Sequence, residues 1–297
     1  MVKCMPMRYN INRNINIGGE FMIEKEVLNK IVELYKKKKS FTEISRLVGI
    51  DRHKVSCILQ KEGLYTKRNS SHNTKIYDKD ESVFEIIDTE EKAYWLGFLY
   101  ADGYVNEVNN HIRIALKKED YNHLVKFQDF IKTNTPIKYD SNRKCYVIQV
   151  FSVKIVQNLV RLGCHQAKSL TLEFPTEKQV PNHLIHHFMR GYFDGDGCIT
   201  HIKPNIKNRS YKYQPSVYLL GTPAFIDEYE KRLLKVIGRE KPNKRIKRKS
   251  WSDSTNAIQY GGSNLVPHIF NFLYKDATIF LDRKLSKFNA FDMQLPS

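Results

Sequence analysis

The chain has 297 residues, about twice the ~150 that one domain usually occupies, which excludes a single mini-fold and favours two compact units. Apolar residues make up 41% and aromatics 12%, enough for a buried core and against wholesale disorder, although 27% of the chain is charged. The 49 lysines and arginines outnumber the 32 acids by 17, an excess that suits a polyanionic partner, with nucleic acid ahead of an anionic membrane.

The opening stretch, 1–22, is rich in Asn, carries Gly18-Gly19 and has little to bury, so it reads as a mobile tail without a secretory signal. A small helical unit is expected over 23–68. Val27, Leu28, Ile31, Val32, Leu34 and Tyr35 recur at helical spacing and run into Lys36–Lys39 at the favourable end of the helix dipole. Ser40 with Glu43 forms a capping box for a second helix stopped by Gly49, and Asp51 caps a third, basic helix ending at Gly63. Short helix, tight turn and basic helix are the order of a helix-turn-helix, which would bring Arg52, Lys54 and Ser56 to DNA. Residues 69–87 are polar and aperiodic, as in a linker.

An internal repeat follows. WLGFLYADG at 95–103 matches MRGYFDGDG at 189–197, so that Gly97, Ala101, Asp102 and Gly103 correspond to Gly191, Gly195, Asp196 and Gly197. Each copy is expected to end a helix, the first capped by Asp88 and the second by Asn182. Small residues four apart, Gly97 with Ala101 and Gly191 with Gly195, leave a smooth strip on which the two helices can cross with their backbones almost touching. Asp102 and Asp196 then converge, each followed by a glycine able to take a left-handed helix terminus. A carboxylate there opposes the helix dipole by ~0.3–1 kcal/mol and repels its twin, so a hard divalent cation, Mg²⁺ before Ca²⁺, is expected to compensate.

With these two motif copies the chain resembles the LAGLIDADG homing endonucleases in their single-chain form, over roughly residues 88–290. The resemblance implies an α+β fold of two pseudo-two-fold αββαββα halves, 88–178 and 179–297, whose antiparallel sheets form a DNA-binding saddle. It implies a monomer that makes a metal-dependent double-strand break, with Mg²⁺ or Mn²⁺ held by Asp102, Asp196, Gly103 and Gly197. It further implies a lysine near the metals in each half, for which Lys168 and Lys284 are the best positional matches. Tyr100 stands where the second copy has Asp194, a position the family does not usually use for metal, and Asp194 reads as peripheral.

The flanking segments repeat as well. HIRIALK alternates, with Ile112, Ile114 and Leu116 on one face, and is followed by a helix near 119–132, strands near 136–140 and 145–151, and a helix through Leu162. The second copy offers a strand in KYQPSVYLL, a helix in TPAFIDEYEKRLLKVIG, a strand pair in RIKRKSW and NAIQYGG, and a helix in NLVPHIFNFLY. Strand parity selects Arg113, Lys117, Gln214, Ser216, Tyr218 and Gln259 as DNA contacts, and Lys247 lies in a loop, 239–251, where seven of thirteen residues are basic.

Five cysteines, without CxxC pairs or zinc spacing, read as reduced thiols of a cytosolic, DNA-associated protein, and no apolar run is long enough for a membrane span. Without terminal Cys or Ser at the start or His-Asn at the end, an active intein is not expected. The alternatives are a non-cleaving transcription regulator of the same fold and a maturase acting on intron RNA.

Overall fold

The computed structural model describes residues 25–37, 39–64, 77–202, 214–243, 246 and 255–290. The chain divides into two compact units, Met1–Asn69 and Ser70–Ser297. The expected tail, residues 69–76 of the expected linker, residues 203–213 and Lys247 lie outside the described residues. The rest of that expected linker, 77–87, is not a spacer but part of the second unit, because Val83, Phe84 and Ile87 are buried in its core.

Among its described residues the first unit holds three helices, α1 (Lys25–Lys36), α2 (Phe41–Val48) and α3 (Arg52–Lys61), closed around Ile31, Leu34, Ile44, Val48, Val55, Ile58 and Leu59. The caps are those read from the sequence. Ser40 accepts from the Glu43 amide while Glu43 accepts from the Ser40 amide, Gly49 ends α2 at φ 73°, and Asp51 accepts from the His53 amide at 2.8 Å.

The second unit opens with α4 (Glu90–Asp102), β1 (Gly103–Asn106), β2 (His111–Leu116), α5 (Tyr121–Phe130), β3 (Lys138–Asp140), β4 (Cys145–Phe151) and α6 (Val153–Arg161). It continues with α7 (Ile185–Asp196), β5 (Gly197–Ile202), β6 (Gln214–Gly221), α8 (Pro223–Val236), β7 (Asn256–Gly261), α9 (Leu265–Tyr274) and α10 (Asp282–Asn289). Two antiparallel sheets result, in strand orders β1-β2-β4-β3 and β5-β6-β7. On β2, Ile112, Ile114 and Leu116 are buried as their alternation predicts. The first strand of the expected pair in the second sheet is represented by the bridge from Ile246 to Ala257. No described helix is long and apolar enough to cross a membrane, and the four described cysteines are unbridged.

α4 and α7 occupy the centre and are enclosed on nearly every side. In α4 every residue from Ala93 to Tyr100 is buried, and in α7 burial is almost unbroken from Ile185 to Asp194. The two helices pack on each other through their glycines. A Cβ on Gly97 would overlap the Phe188 carbonyl and lie 2.9 Å from the Tyr192 amide, while one on Gly191 would overlap the Tyr94 carbonyl and lie 2.8 Å from the Phe98 amide. The smooth strip read from the sequence is therefore a true backbone-to-backbone crossing.

Three local expectations are corrected. Asp88 does not cap α4; the Thr89 hydroxyl accepts from the Lys92 amide at 3.3 Å, and Asp88 instead pairs with Lys92 at 2.7 Å. Asn182 does not cap α7, because Asn182–Leu184 form a separate turn of 3-10 helix and α7 begins after it without a side-chain cap. Gly103 and Gly197 are extended, at φ −78° and −77°, and not left-handed, because the chain passes straight from each helix into β1 or β5. What these glycines supply is space: a Cβ on Gly103 would lie 2.6 Å from the Leu99 carbonyl oxygen.

Gly97→Ala forces the central helices apart and is expected to lower stability by about 1–3 kcal/mol, read as a reduced urea midpoint by circular dichroism. An unchanged midpoint would mean that the contact is looser than the geometry requires.

Candidate functional site

The site forms where α4 and α7 end side by side. A Cβ on Gly195 would meet the Ala101 side chain and come within 3.5 Å of the Asp102 carboxyl carbon, so the second motif needs a glycine there for the first motif's acid to approach. Asp102 is exposed and Asp196 half-buried, but the protein around each still desolvates its carboxyl. This partial desolvation raises the pKa of each above the carboxylate norm. Asp196 is pushed up to about 6, by desolvation first and by the charge of Asp102 second, with Lys168, the Tyr192 hydroxyl and Lys284 opposing. For Asp102 the opposing charges are Lys284, Lys168 and Arg283.

Both candidate lysines are buried at this place. The Lys168 ammonium donates to the carbonyl of Gly103, and the Lys284 ammonium donates to the carbonyl of Gly197 and, at 3.3 Å, to that of Phe193. Each thus touches the residue that follows the aspartate of its own motif. Lys284 has its pKa lowered by burial, with Asp194 the leading charge acting against the drop. The elements that hold the lysines differ: Lys168 opens a short 3-10 turn, whereas Lys284 lies in α10. That helix is tied to the α5 region, for Arg283 makes a forked contact to Asp120 at 3.0–3.2 Å and Lys126 pairs with Asp282 at 2.9 Å.

Asp194 is not peripheral. It is fully enclosed and accepts from the Tyr94 hydroxyl at 2.7 Å, the Tyr274 hydroxyl at 2.5 Å and the Leu281 amide at 2.7 Å. One turn earlier Arg190, also fully buried, donates to the carbonyls of Ile279 and Leu273, each at 2.9 Å, and to Glu90 at 2.6 Å. Glu90 in turn accepts from the Thr278 amide at 2.8 Å. This network joins the start of α4, the length of α7 and the chain between α9 and α10. The available signal in the sequence was a charged pair four residues apart inside an otherwise apolar helix, Arg190 with Asp194.

The expected DNA contacts are distributed unevenly. Arg52 and Lys54 are exposed on α3 and Ser56 is half-buried, all in the first unit. In the first sheet Arg113 is half-buried and paired with Asp140 at 3.5 Å, and Lys117 is exposed just past β2. Gln214, Tyr218 and Gln259 are half-buried on the second sheet. Ser216 is corrected: it has no exposure, because its hydroxyl donates to the Tyr260 carbonyl and the Gln259 amide covers it at 2.9 Å. Parity gave its face but not the neighbour lying across it. Tyr104, 44% exposed and paired in register with Arg113, is a sheet residue that the same parity argument missed.

No family model and no curated protein matches the chain. Solved structures similar to it include the meganuclease I-SmaMI bound to uncleaveable DNA, at 11% identity and TM-score 0.46, covering 66% of this chain and 87% of that one. The I-LtrWI LAGLIDADG homing endonuclease bound to target DNA is similar at 10% identity and TM-score 0.46, over 69% of this chain and 91% of that one. The meganuclease I-AabMI bound to uncleaved DNA is similar at 10% identity and TM-score 0.43, over 66% and 87%. At such low likeness a functional reading has to rest on the residues of this chain.

A carboxyl whose pKa is raised in the folded state releases its proton more readily when unfolded, so the contribution of Asp196 to folding stability falls as pH rises from about 4 through about 6. Asp196→Asn removes that term. The variant is expected to match the wild type near pH 4 and to exceed it above pH 6 by at most about 3 kcal/mol, measured by urea unfolding across pH. Equal pH profiles would show that Asp196 titrates normally.

Proposed function

We propose that this chain is a LAGLIDADG-type, divalent-metal-dependent DNA endonuclease, a monomer with an internal pseudo-two-fold, which makes a site-specific double-strand break. The observation that carries the reading is the paired arrangement at the helix ends. Two aspartates from the two motif copies stand together, and a buried lysine sits on the glycine carbonyl behind each.

The donor set fits a hard cation. Two carboxylates, one pushed up to about 6 in part by the other, gain from a shared divalent charge. Among the described residues no cluster of three or more His, Cys, Asp or Glu forms a closed metal cage. Asp102 and Asp196 would therefore hold Mg²⁺ or Mn²⁺ and leave the rest of its shell to water and phosphate oxygens. The Gly103 and Gly197 carbonyls serve the lysines in this arrangement. When bound, the metal supplies Lewis-acid stabilisation of phosphate charge and a water that ionises near neutral pH.

The remaining roles belong to the protein. Lys168 and Lys284 place two fixed positive charges beside the carboxylates, where they oppose charge building on a phosphodiester. A net charge of +17 draws the polyanion in, the sheet residues Tyr104, Arg113, Lys117, Gln214, Tyr218 and Gln259 meet the duplex, and Arg52, Lys54 and Ser56 of α3 extend the footprint as a helix-turn-helix. Lys247 adds a phosphate contact from its basic loop.

The test is cleavage of a random duplex library with Mg²⁺ or EDTA, sequencing the new ends. The wild type is expected to cut at one long site only with metal, more slowly below about pH 6 where Asp196 holds its proton, and the Asp102→Asn, Asp196→Asn variant is expected to lose at least about 100-fold in rate. Sequence-specific capture with no cut in Mg²⁺ or Mn²⁺ would favour the regulator instead.

A further inference from the structure

The two motif copies differ in chemistry at an interior position near their ends, Tyr100 against Asp194, and both residues reach the chain segment that carries the lysine of their own half. In the first half the Tyr100 hydroxyl donates to the carbonyl of Leu162. The next residue, Gly163, turns at φ 93°, where a Cβ would strike that same hydroxyl, so the turn is shaped around the tyrosine. From there six residues lead from Leu162 to Lys168, which returns to α4 by donating to Gly103.

In the second half Asp194 accepts from the Leu281 amide at 2.7 Å. Leu281 is the N-cap residue of α10, and its carbonyl accepts from the Lys284 amide at 2.8 Å, so the carboxylate grips the turn on which Lys284 stands. Lys284 returns to the end of α7 by donating to Gly197. In each half, then, the motif helix holds the lysine segment twice, once through position 100 or 194 and once through the lysine itself. The polarity is inverted between the halves: a hydroxyl donor meets a carbonyl in the first, and a carboxylate acceptor meets an amide in the second.

We propose that Tyr100 and Asp194 are positioning residues, each fixing the lysine of its own half against the adjoining glycine carbonyl. The assignment of the lysines to DNA cleavage rests on the endonuclease reading; the positioning itself does not. Neither residue is interchangeable with the other, since a carboxylate at 100 would face the Leu162 carbonyl and a phenol at 194 would lose the Leu281 amide. Three of the partners of Asp194 come from two helices and the α9–α10 connection, which makes it the more heavily braced of the pair.

Lysine acetylation of the full chain by sulfo-NHS-acetate, quantified peptide by peptide, tests the proposal without DNA or metal. Lys168 and Lys284 are 7% and 4% exposed, so both label slowly in the wild type. Tyr100→Phe keeps the ring and removes the hydroxyl. It is expected to raise labelling of Lys168 about fivefold, the population change that one lost hydrogen bond allows, and to leave Lys284 unchanged. Asp194→Asn is expected to do the reverse. Unchanged labelling of Lys168 in Tyr100→Phe would overturn the proposal, and so would an equal rise at both lysines in either variant, which would mark a general loosening. On a duplex recovered from the library and labelled on each strand, the two variants are expected to accumulate nicks in opposite strands. Selective labelling without any strand bias would leave the positioning intact and count against the catalytic role of the lysines.

Discussion

Everything in the second unit depends on how closely α4 and α7 approach. Two helices with ordinary side chains keep their axes about 8–10 Å apart, which would separate the acids at their ends. Here Gly97 and Gly191 each sit against the opposite backbone, and Gly195 makes room for Ala101 and Asp102. The contact is apolar and almost sealed, so it contributes core stability while it sets the spacing of two carboxylates. Fold and site share one cause.

That spacing creates an electrostatic problem that the neighbouring residues answer only in part. Helix C-termini disfavour the two acids, and each acid disfavours the other. Lys168 and Lys284 stand against both, yet Asp196 remains pushed up to about 6, by burial first and by the charge of Asp102 second. Behind them the Glu90–Arg190 pair and the Asp194 hub are fully satisfied, with each buried charge matched by backbone or hydroxyl partners. The network is one-sided: the first motif has Tyr100 where the second has Asp194, and Leu96 where the second has Arg190. The two halves reach comparable ends, a lysine on a glycine carbonyl, by different means.

Much of this was legible in the sequence because it is written in local spacing. The capping box at Ser40, the alternation at Ile112, Ile114 and Leu116, and the small residues four apart in both motifs each follow from the geometry of one element. The meeting of Asp102 with Asp196 required only the further step that the two strips pack together. Other features depend on partners far away in sequence. Asp194 looked peripheral since its three donors come from 94, 274 and 281, and Ser216 looked exposed since the Gln259 amide that covers it belongs to another strand. Competition between nearby candidates decides the cap of α4: Asp88 and Thr89 both suit an N-cap, and Asp88 is drawn off by Lys92. Arg283 was hidden among basic neighbours, and only its forked contact to Asp120 marks it.

In the proposed endonuclease the helix crossing makes one shared cation site out of two acids from two motifs. Titration of Mn²⁺ followed by electron paramagnetic resonance, on the wild type and on Asp102→Asn and Asp196→Asn separately, tests this most directly. A shared site predicts that either single substitution weakens the same binding event by at least about tenfold and that binding weakens as pH falls below about 6. Mn²⁺ binding that keeps its affinity in one of the single variants would contradict the account, because the two carboxylates would then be acting apart.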